Sequence, residues 1–190
     1  MAKLYFNYSS MNAGKSTILL QANHNYKERG MNTIIYTSSV DDRYGKKEIV
    51  SRIGLKAKSN IFTNNTNIYK EVTSFDKDNK VDCVLIDEAQ FLNKDQVAQL
   101  GQIVDDLDVP VLTFGIRTDF KGNLFEGSKY LLAWADNLKE IKTVCHCGRK
   151  ATMVLRLDES GKVIEKGEQI EIGGNEKYVS ICRKHFYEKN

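Results

Sequence analysis

The stretch SSMNAGKST, residues 9–17, decides how the rest of the chain is read. Its second half, Gly14-Lys15-Ser16, ends the phosphate-loop pattern G-x-x-x-x-G-K-[ST], yet the first position is Ser9 rather than glycine. Such a loop works because backbone N–H groups at a helix N-terminus wrap phosphate oxygens. Gly14 lets the backbone approach closely, Lys15 reaches the β- and γ-phosphates, and the Ser16 hydroxyl binds Mg²⁺. A helix that merely begins with G-K-S is the plain alternative, so the context must be strand, loop, helix. Residues 4–8, LYFNY, read as a strand, and residues 15–29 as a helix closed by Gly30. Ser9 then needs only a backbone conformation open to residues with a Cβ.

The loop needs a carboxylate at the end of another buried strand, and VLIDEAQF, residues 84–91, supplies it. In an open α/β sheet ligands sit at the C-terminal strand ends. Asp87 therefore stands where a Mg²⁺-holding carboxylate belongs, and Glu88 where a group could orient or deprotonate a nucleophile. That nucleophile is water in an ATPase and a substrate hydroxyl in a kinase. Taken alone, the two acids also suit a solvated helix N-terminus.

Working outward, residues 33–37 read as a β-branched strand, 81–86 and 109–116 as apolar strands buried on both faces, and 138–144 as a further strand. Residues 68–75, 93–106 (capped by Asn93) and 124–135 read as helices, while 41–67 shows no strong period. Alternating strands and helices predict an α/β domain with a mainly parallel sheet over residues 1–143. The 190 residues suit one ordinary domain with a small appendage. Apolar residues make up 41% and charged residues 28%, a soluble, globular balance. A net charge of +3 is too small to argue for a nucleic-acid or membrane surface. No apolar run approaches a bilayer span, and the N-terminus lacks a signal peptide's apolar core, so a cytoplasmic location is expected.

The character changes at residue 144. Cys145-His146-Cys147 and Cys182-Arg183-Lys184-His185 flank a Gly-rich, charged segment. Two ligand pairs on two turns are how a structural Zn²⁺ staples a small loop-rich unit, here residues 144–190. Cys145, Cys147, Cys182 and His185 are the expected ligands, with His146 an alternative to Cys145. The C-x-C spacing is tighter than the usual C-x-x-C, and buried free thiols are the plain alternative. Cys83, inside a strand, reads as a core residue, and His24 as a surface one.

Several separated stretches now fit one family. The chain resembles the type II thymidine kinases, on MNAGKST, DDRY, SRIGL, LIDEAQF, FGIRTDF, CGRKA, MVLRL and IGGNEKYVSICRKH, in family order over nearly its whole length. The wording is nearest the enterobacterial branch. The resemblance implies a RecA-like domain plus a small zinc-ribbon-like domain bearing a lasso over the nucleoside. It implies transfer of the ATP γ-phosphoryl group to the 5′-hydroxyl of thymidine, with deoxyuridine often accepted. ATP and Mg²⁺ would engage Ser9, Ser10, Met11, Asn12, Ala13, Gly14, Lys15, Ser16, Thr17, Asp87 and Gln90, with Asp41 and Arg43 near the transferred phosphate. Glu88 would be the base. Met11, Phe91, Phe120, Phe125, Val154 and Tyr178 would enclose the nucleoside, and Glu171, Ile172, Gly173 and Gly174 would read the base edge. A homotetramer inhibited by dTTP is also implied. The chain departs from the common pattern at Ser9, at the C-x-C knuckle, and at RTDF, where other branches carry LDGTF.

Two rival readings remain at this level: a P-loop ATPase, with Glu88 activating water, and a zinc-ribbon module binding nucleic acid. The second lacks a basic stripe, since acids and bases are mixed throughout.

Overall fold

A computed structural model describes residues 1–40, 48–171 and 177–188. Its centre is a six-stranded sheet built from β1 (Leu4–Ser9), β2 (Thr33–Ser38), β5 (Asn60–Phe62), β6 (Cys83–Ile86), β7 (Val111–Ile116) and β8 (Asn137–Glu140). The spatial order is β5-β2-β6-β7-β1-β8, and every pairing is parallel. The mainly parallel α/β sheet expected from the alternation of elements is therefore present.

The strands are apolar on both faces because both are covered. Ile34 and Tyr36 of β2, with Val84 and Ile86 of β6, face one core. That core is closed by α2 (Ile68–Asp78), α3 (Lys94–Leu107) and α4 (Glu126–Trp134). The intervening Ile35, Cys83 and Leu85 face the other core, under Leu19 and Leu20 of α1 (Lys15–Glu28). Alternation with period two thus splits one continuous apolar run between two layers. Cys83 is a core residue, as expected, and His24 sits on the exposed face of α1 beside Glu28. Gly30 follows α1 at φ 72, a left-handed turn that glycine adopts without strain. Asn93 caps α3 in a reciprocal capping box with Gln96.

Two expectations need correction. Residues 138–144 are not one strand. β8 ends at Glu140, and the Ile141 N–H donates to the Tyr8 carbonyl while its side chain closes the second core. The chain then leaves the sheet for β9 (Thr143–Val144), which pairs antiparallel with β10 (Lys150–Ala151). The segment read as irregular holds a hairpin, β3 (Glu48–Val50) with β4 (Lys56–Lys58), and then β5. Three-residue strands are too short to show a period. β5 is a strand only because Tyr36–Ser38 of β2 offers it an edge.

Beyond β9 the chain forms a smaller unit: β11 (Met153–Arg156) pairs antiparallel with β12 (Tyr178–Ile181), and α5 (Arg183–Glu188) ends it. A small core of Cys145, Ala151, Leu155, Ile181 and Cys182 lies inside. No helix among the described residues is long and apolar enough to cross a membrane.

Candidate active site and metal centre

The loop between β1 and α1 resolves the Ser9 substitution. Ser9 is the last residue of β1, paired with Ile116, and its carbonyl accepts the Arg117 N–H. The left-handed positions of the loop are Asn12 (φ 61) and Gly14 (φ 82), not Ser9. A Cβ is therefore no burden at position 9, and its hydroxyl accepts a bond from Lys15 Nζ at 3.0 Å. Lys15 Nζ also donates to the Ser10 carbonyl at 3.1 Å. Ser9 and Ser10 are buried beneath the loop, whereas Met11, Asn12, Ala13, Gly14, Lys15, Ser16 and Thr17 line an open cleft of about 180 Å³. The α1 N-terminus carries no acidic residue in its own first turn, which leaves its N–H groups open to an anion in the cleft.

Asp87 closes β6. The Ser16 hydroxyl donates to Asp87 Oδ2 at 3.0 Å, joining residues 71 positions apart. Burial, then the neighbouring Glu88 charge, pushes the Asp87 carboxyl up to about 7, against the opposing pull of Ser16, the Glu88 N–H and Lys15. The turn that follows, Ala89–Phe91, is a single 3₁₀ turn, and Glu88 enters it in the left-handed region at φ 52. That conformation is costly for a residue with a Cβ and clusters at functional positions. It aims Glu88 into the cleft. Gln90 braces it: the amide Nε2 donates to Glu88 Oε2, and Oε1 accepts the Ile116 N–H at 3.1 Å. Gly115 leaves room for this brace, since a Cβ there would lie 2.9 Å from Gln90 Oε1.

Opposite the loop lies an aromatic wall. Phe91 and Phe125 meet edge to face, with ring centroids 6.0 Å apart. Phe120, Val154, Glu171 and Tyr178 also line the cleft. The Tyr178 hydroxyl donates to the Glu171 carbonyl at 2.6 Å. Asp41, Arg43, Ile172, Gly173 and Gly174 lie outside the described residues. Every other expected site residue of the cleft lines it or, as with Ser9, Ser10 and Asp87, lies directly beneath it.

Sequence reasoning missed several residues of the cleft and its surroundings, three of them with polar or charged contacts there. Arg52, from the β3–β4 hairpin, lines the cleft and donates to the Asn12 side chain of the loop. Asp119 is buried and accepts the Gln169 amide at 2.9 Å, tying the segment before Glu171 to the turn after β7. Arg156 lies behind Phe120, its guanidinium carbon 3.9 Å from the ring centroid. Arg52 and Arg156 fall within SRIGL and MVLRL, and Asp119 within RTDF, but no spacing rule singles them out.

The four expected metal ligands converge. One atom each from Cys145, Cys147, Cys182 and His185 lies within 4.8 Å of the others. The Cys147–Cys182 sulfurs are 3.9 Å apart, and His185 Nδ1 is 3.4 Å from Cys145 Sγ and 3.5 Å from Cys182 Sγ. A tetrahedral Zn²⁺ at ordinary bond lengths asks for about 3.8 Å between sulfurs and about 3.6 Å between sulfur and nitrogen. The set fits. Cys145 rather than His146 completes it; the His146 ring instead stacks on His185 at 4.4 Å. Burial raises the Cys145 thiol, but backbone N–H groups of Cys147 and Cys182 and the His185 ring outweigh it and hold it near 6. That favours a thiolate ligand.

The sheet order, the loop and the buried carboxylate define a P-loop nucleotide-binding α/β protein, with a smaller unit that carries a Cys₃His cluster and lends Val154 and Tyr178 to the cleft. The family model for thymidine kinase matches residues 2–186, and the chain belongs to that family. It is 60% identical to a thymidine kinase of Shewanella oneidensis, over 99% of this chain and 98% of that protein. It is 59% identical to one of Haemophilus influenzae, over 100% of this chain and 98% of that protein. With a thymidine kinase of Salmonella paratyphi A it shares 57% identity over 98% of this chain and 91% of that protein.

Proposed function

We propose that the protein transfers the γ-phosphoryl group of ATP to the 5′-hydroxyl of thymidine, and of deoxyuridine, giving the nucleoside monophosphate in salvage. The observation that carries this reading is the 3.0 Å bond between Ser16 and Asp87. It joins the phosphate loop to the carboxylate strand in one site, on a chain of this family.

Phosphoryl transfer asks for positioning and charge stabilisation more than covalent chemistry. Backbone N–H groups of residues 9–17 hold the triphosphate, and Lys15 donates to its β- and γ-oxygens. Ser16 and Asp87 offer the hard oxygen donors that suit Mg²⁺, which when bound neutralises charge on the β- and γ-phosphates. Asp41 and Arg43 serve the transferred group. Glu88, braced by Gln90, takes the proton of the 5′-hydroxyl. Met11, Phe91, Phe120, Phe125 and Val154 receive the thymine ring, Tyr178 covers the nucleoside, and backbone groups of residues 171–174 pair with the base edge. A wrong base would leave those groups unpaired, a strong source of discrimination.

In this reading residues 1–143 form the nucleotide-binding domain and 144–190 the lasso domain, cross-linked by Zn²⁺ when it is bound. The protein is cytoplasmic, a homotetramer inhibited by dTTP, and uses no nucleic acid. Sedimentation and a dTTP titration test those two properties. The main test is ATP consumption with Mg²⁺, with and without thymidine or deoxyuridine, beside deoxycytidine and deoxyadenosine. Turnover confined to thymidine and deoxyuridine is the expected result. Turnover without nucleoside would instead assign Glu88 to water activation.

A further inference from the structure

Arg156 is a buried cation with only 3% of its surface exposed, and it lies outside the cleft lining. On β11 it stands in register with Tyr178, two residues from Val154, so the sheet places both lining residues beside it. Its guanidinium packs 3.9 Å from the centroid of Phe120, a lining ring. Nη1 donates to the Glu168 carbonyl at 2.9 Å and pairs with Glu171 Oε2 at 3.2 Å. A Cβ at Gly167 would collide with Nη2, so the strap passes against the guanidinium at a residue that has none. One side chain therefore grips three positions of the strap, 167, 168 and 171, and backs an aromatic residue of the wall.

Stability does not explain this group. Arg156 Nε is buried without a hydrogen-bond partner among the described residues. A buried charge with a spare donor is costly, and a well-packed apolar residue is often as stable or more so. We infer that Arg156 is a positioning residue for the nucleoside: it holds Phe120 and the strap from Gly167 to Glu171 at one spacing, and so sets the width of the base slot. The inference rests on the thymidine kinase reading above. The planar fork suits the task, because it stacks on a ring and bonds two acceptors at once, which an ammonium does less well.

The test is steady-state kinetics of the full chain with its metal. Arg156→Met should raise KM for thymidine by at least ~10-fold, the scale for removing one partner of a buried, hydrogen-bonded charge. KM for ATP should stay within about twofold, and the thermal midpoint should change little, because the partner left behind, Glu171, is 43% exposed and keeps its water. Arg156→Lys should fall between Met and wild type. Glu171→Gln, at a more exposed position, should raise thymidine KM by less, and non-additively with Arg156→Met. It also carries the test if Arg156→Met fails to fold. Unchanged thymidine KM in the variants overturns the inference. So does a parallel rise of both KM values with a lowered midpoint, which marks a merely structural role. Wild-type protein that does not phosphorylate thymidine overturns the functional reading first, and the inference with it.

Discussion

The phosphate wall of the cleft takes nine consecutive residues, 9–17, and adds Asp87 and Glu88 from the end of one strand. The aromatic wall draws Phe91, Phe120, Phe125, Val154 and Tyr178 from a 3₁₀ turn, a loop, a helix cap and two strands of the smaller unit. Backbone amides at one helix N-terminus suffice to bind any triphosphate, so that wall is compact in sequence. A slot for one base needs surfaces on several sides, which no single segment provides. The walls also differ in what steadies them. The first stands on the parallel sheet. The second is divided: Phe91 packs on the main core and Phe125 caps α4, whereas Val154 and Tyr178 stand on the strands of the smaller unit, tied in through Arg156 and Asp119.

The largest expected effect falls where the walls meet. Glu88→Gln should lower kcat by at least ~10²-fold with the fold intact, the usual scale for losing a general base. Near-normal kcat would take Glu88 out of that role and leave the phosphate wall without a reacting group.

Next comes the metal centre. Structural Zn²⁺ contributes about 10–16 kcal/mol to small metal-folded units. Cys182→Ala should therefore lose bound zinc and nearly all thymidine turnover. Binding of a non-hydrolysable ATP analogue, followed by calorimetry, should survive, because the phosphate loop belongs to the main sheet. The two units do touch: Ser180 donates to the Met11 carbonyl, and Ser10 to the Ala151 carbonyl at 3.4 Å. Loss of nucleotide binding as well would show that these contacts make the walls one mechanical unit.

A smaller effect concerns charge. Asp87 has a folded-state pKa of about 7, raised by burial and then by Glu88. The folded protein therefore holds this proton more tightly than the unfolded chain. The stability it contributes is fully present below about pH 4 and is lost as pH rises through about 7. Asp87→Asn keeps the shape and removes the charge. Without nucleotide or Mg²⁺, its thermal midpoint should exceed wild type at pH 8, with the gap closing toward pH 5. A gap independent of pH would mean that Asp87 ionises as freely as an exposed carboxyl.

The smallest effect lies away from both walls. Asn93→Ala removes one half of the α3 capping box and should cost about 1 kcal/mol by urea denaturation, with both KM values unchanged. A change in either KM would show that α3, which packs against the sheet under the cleft, also sets its geometry.

The sequence by itself determined the local features: a strand before G-K-S, apolar runs at β6 and β7, the Asn93 cap, and Asp87-Glu88 at a strand end. Each is written in a few adjacent residues, through periodicity, capping chemistry or motif spacing. The Cys and His ligands were legible for the same reason, as pairs on two turns. Tertiary structure decided the rest. It showed that Ser9 lies in extended strand, so the left-handed strain of the loop falls on Asn12 and Gly14. It ended β8 at Glu140 by turning Ile141 into the core, and made β5 a strand by lending it the edge of β2. It gave Arg156, Asp119 and Arg52 their places. Asp119 also bonds the nearby Lys121 and Asn123 N–H groups, an ordinary turn, but the partners that tie the three residues to the site lie 12 to 50 residues away, and a side chain bonded across such a distance leaves no local pattern to read.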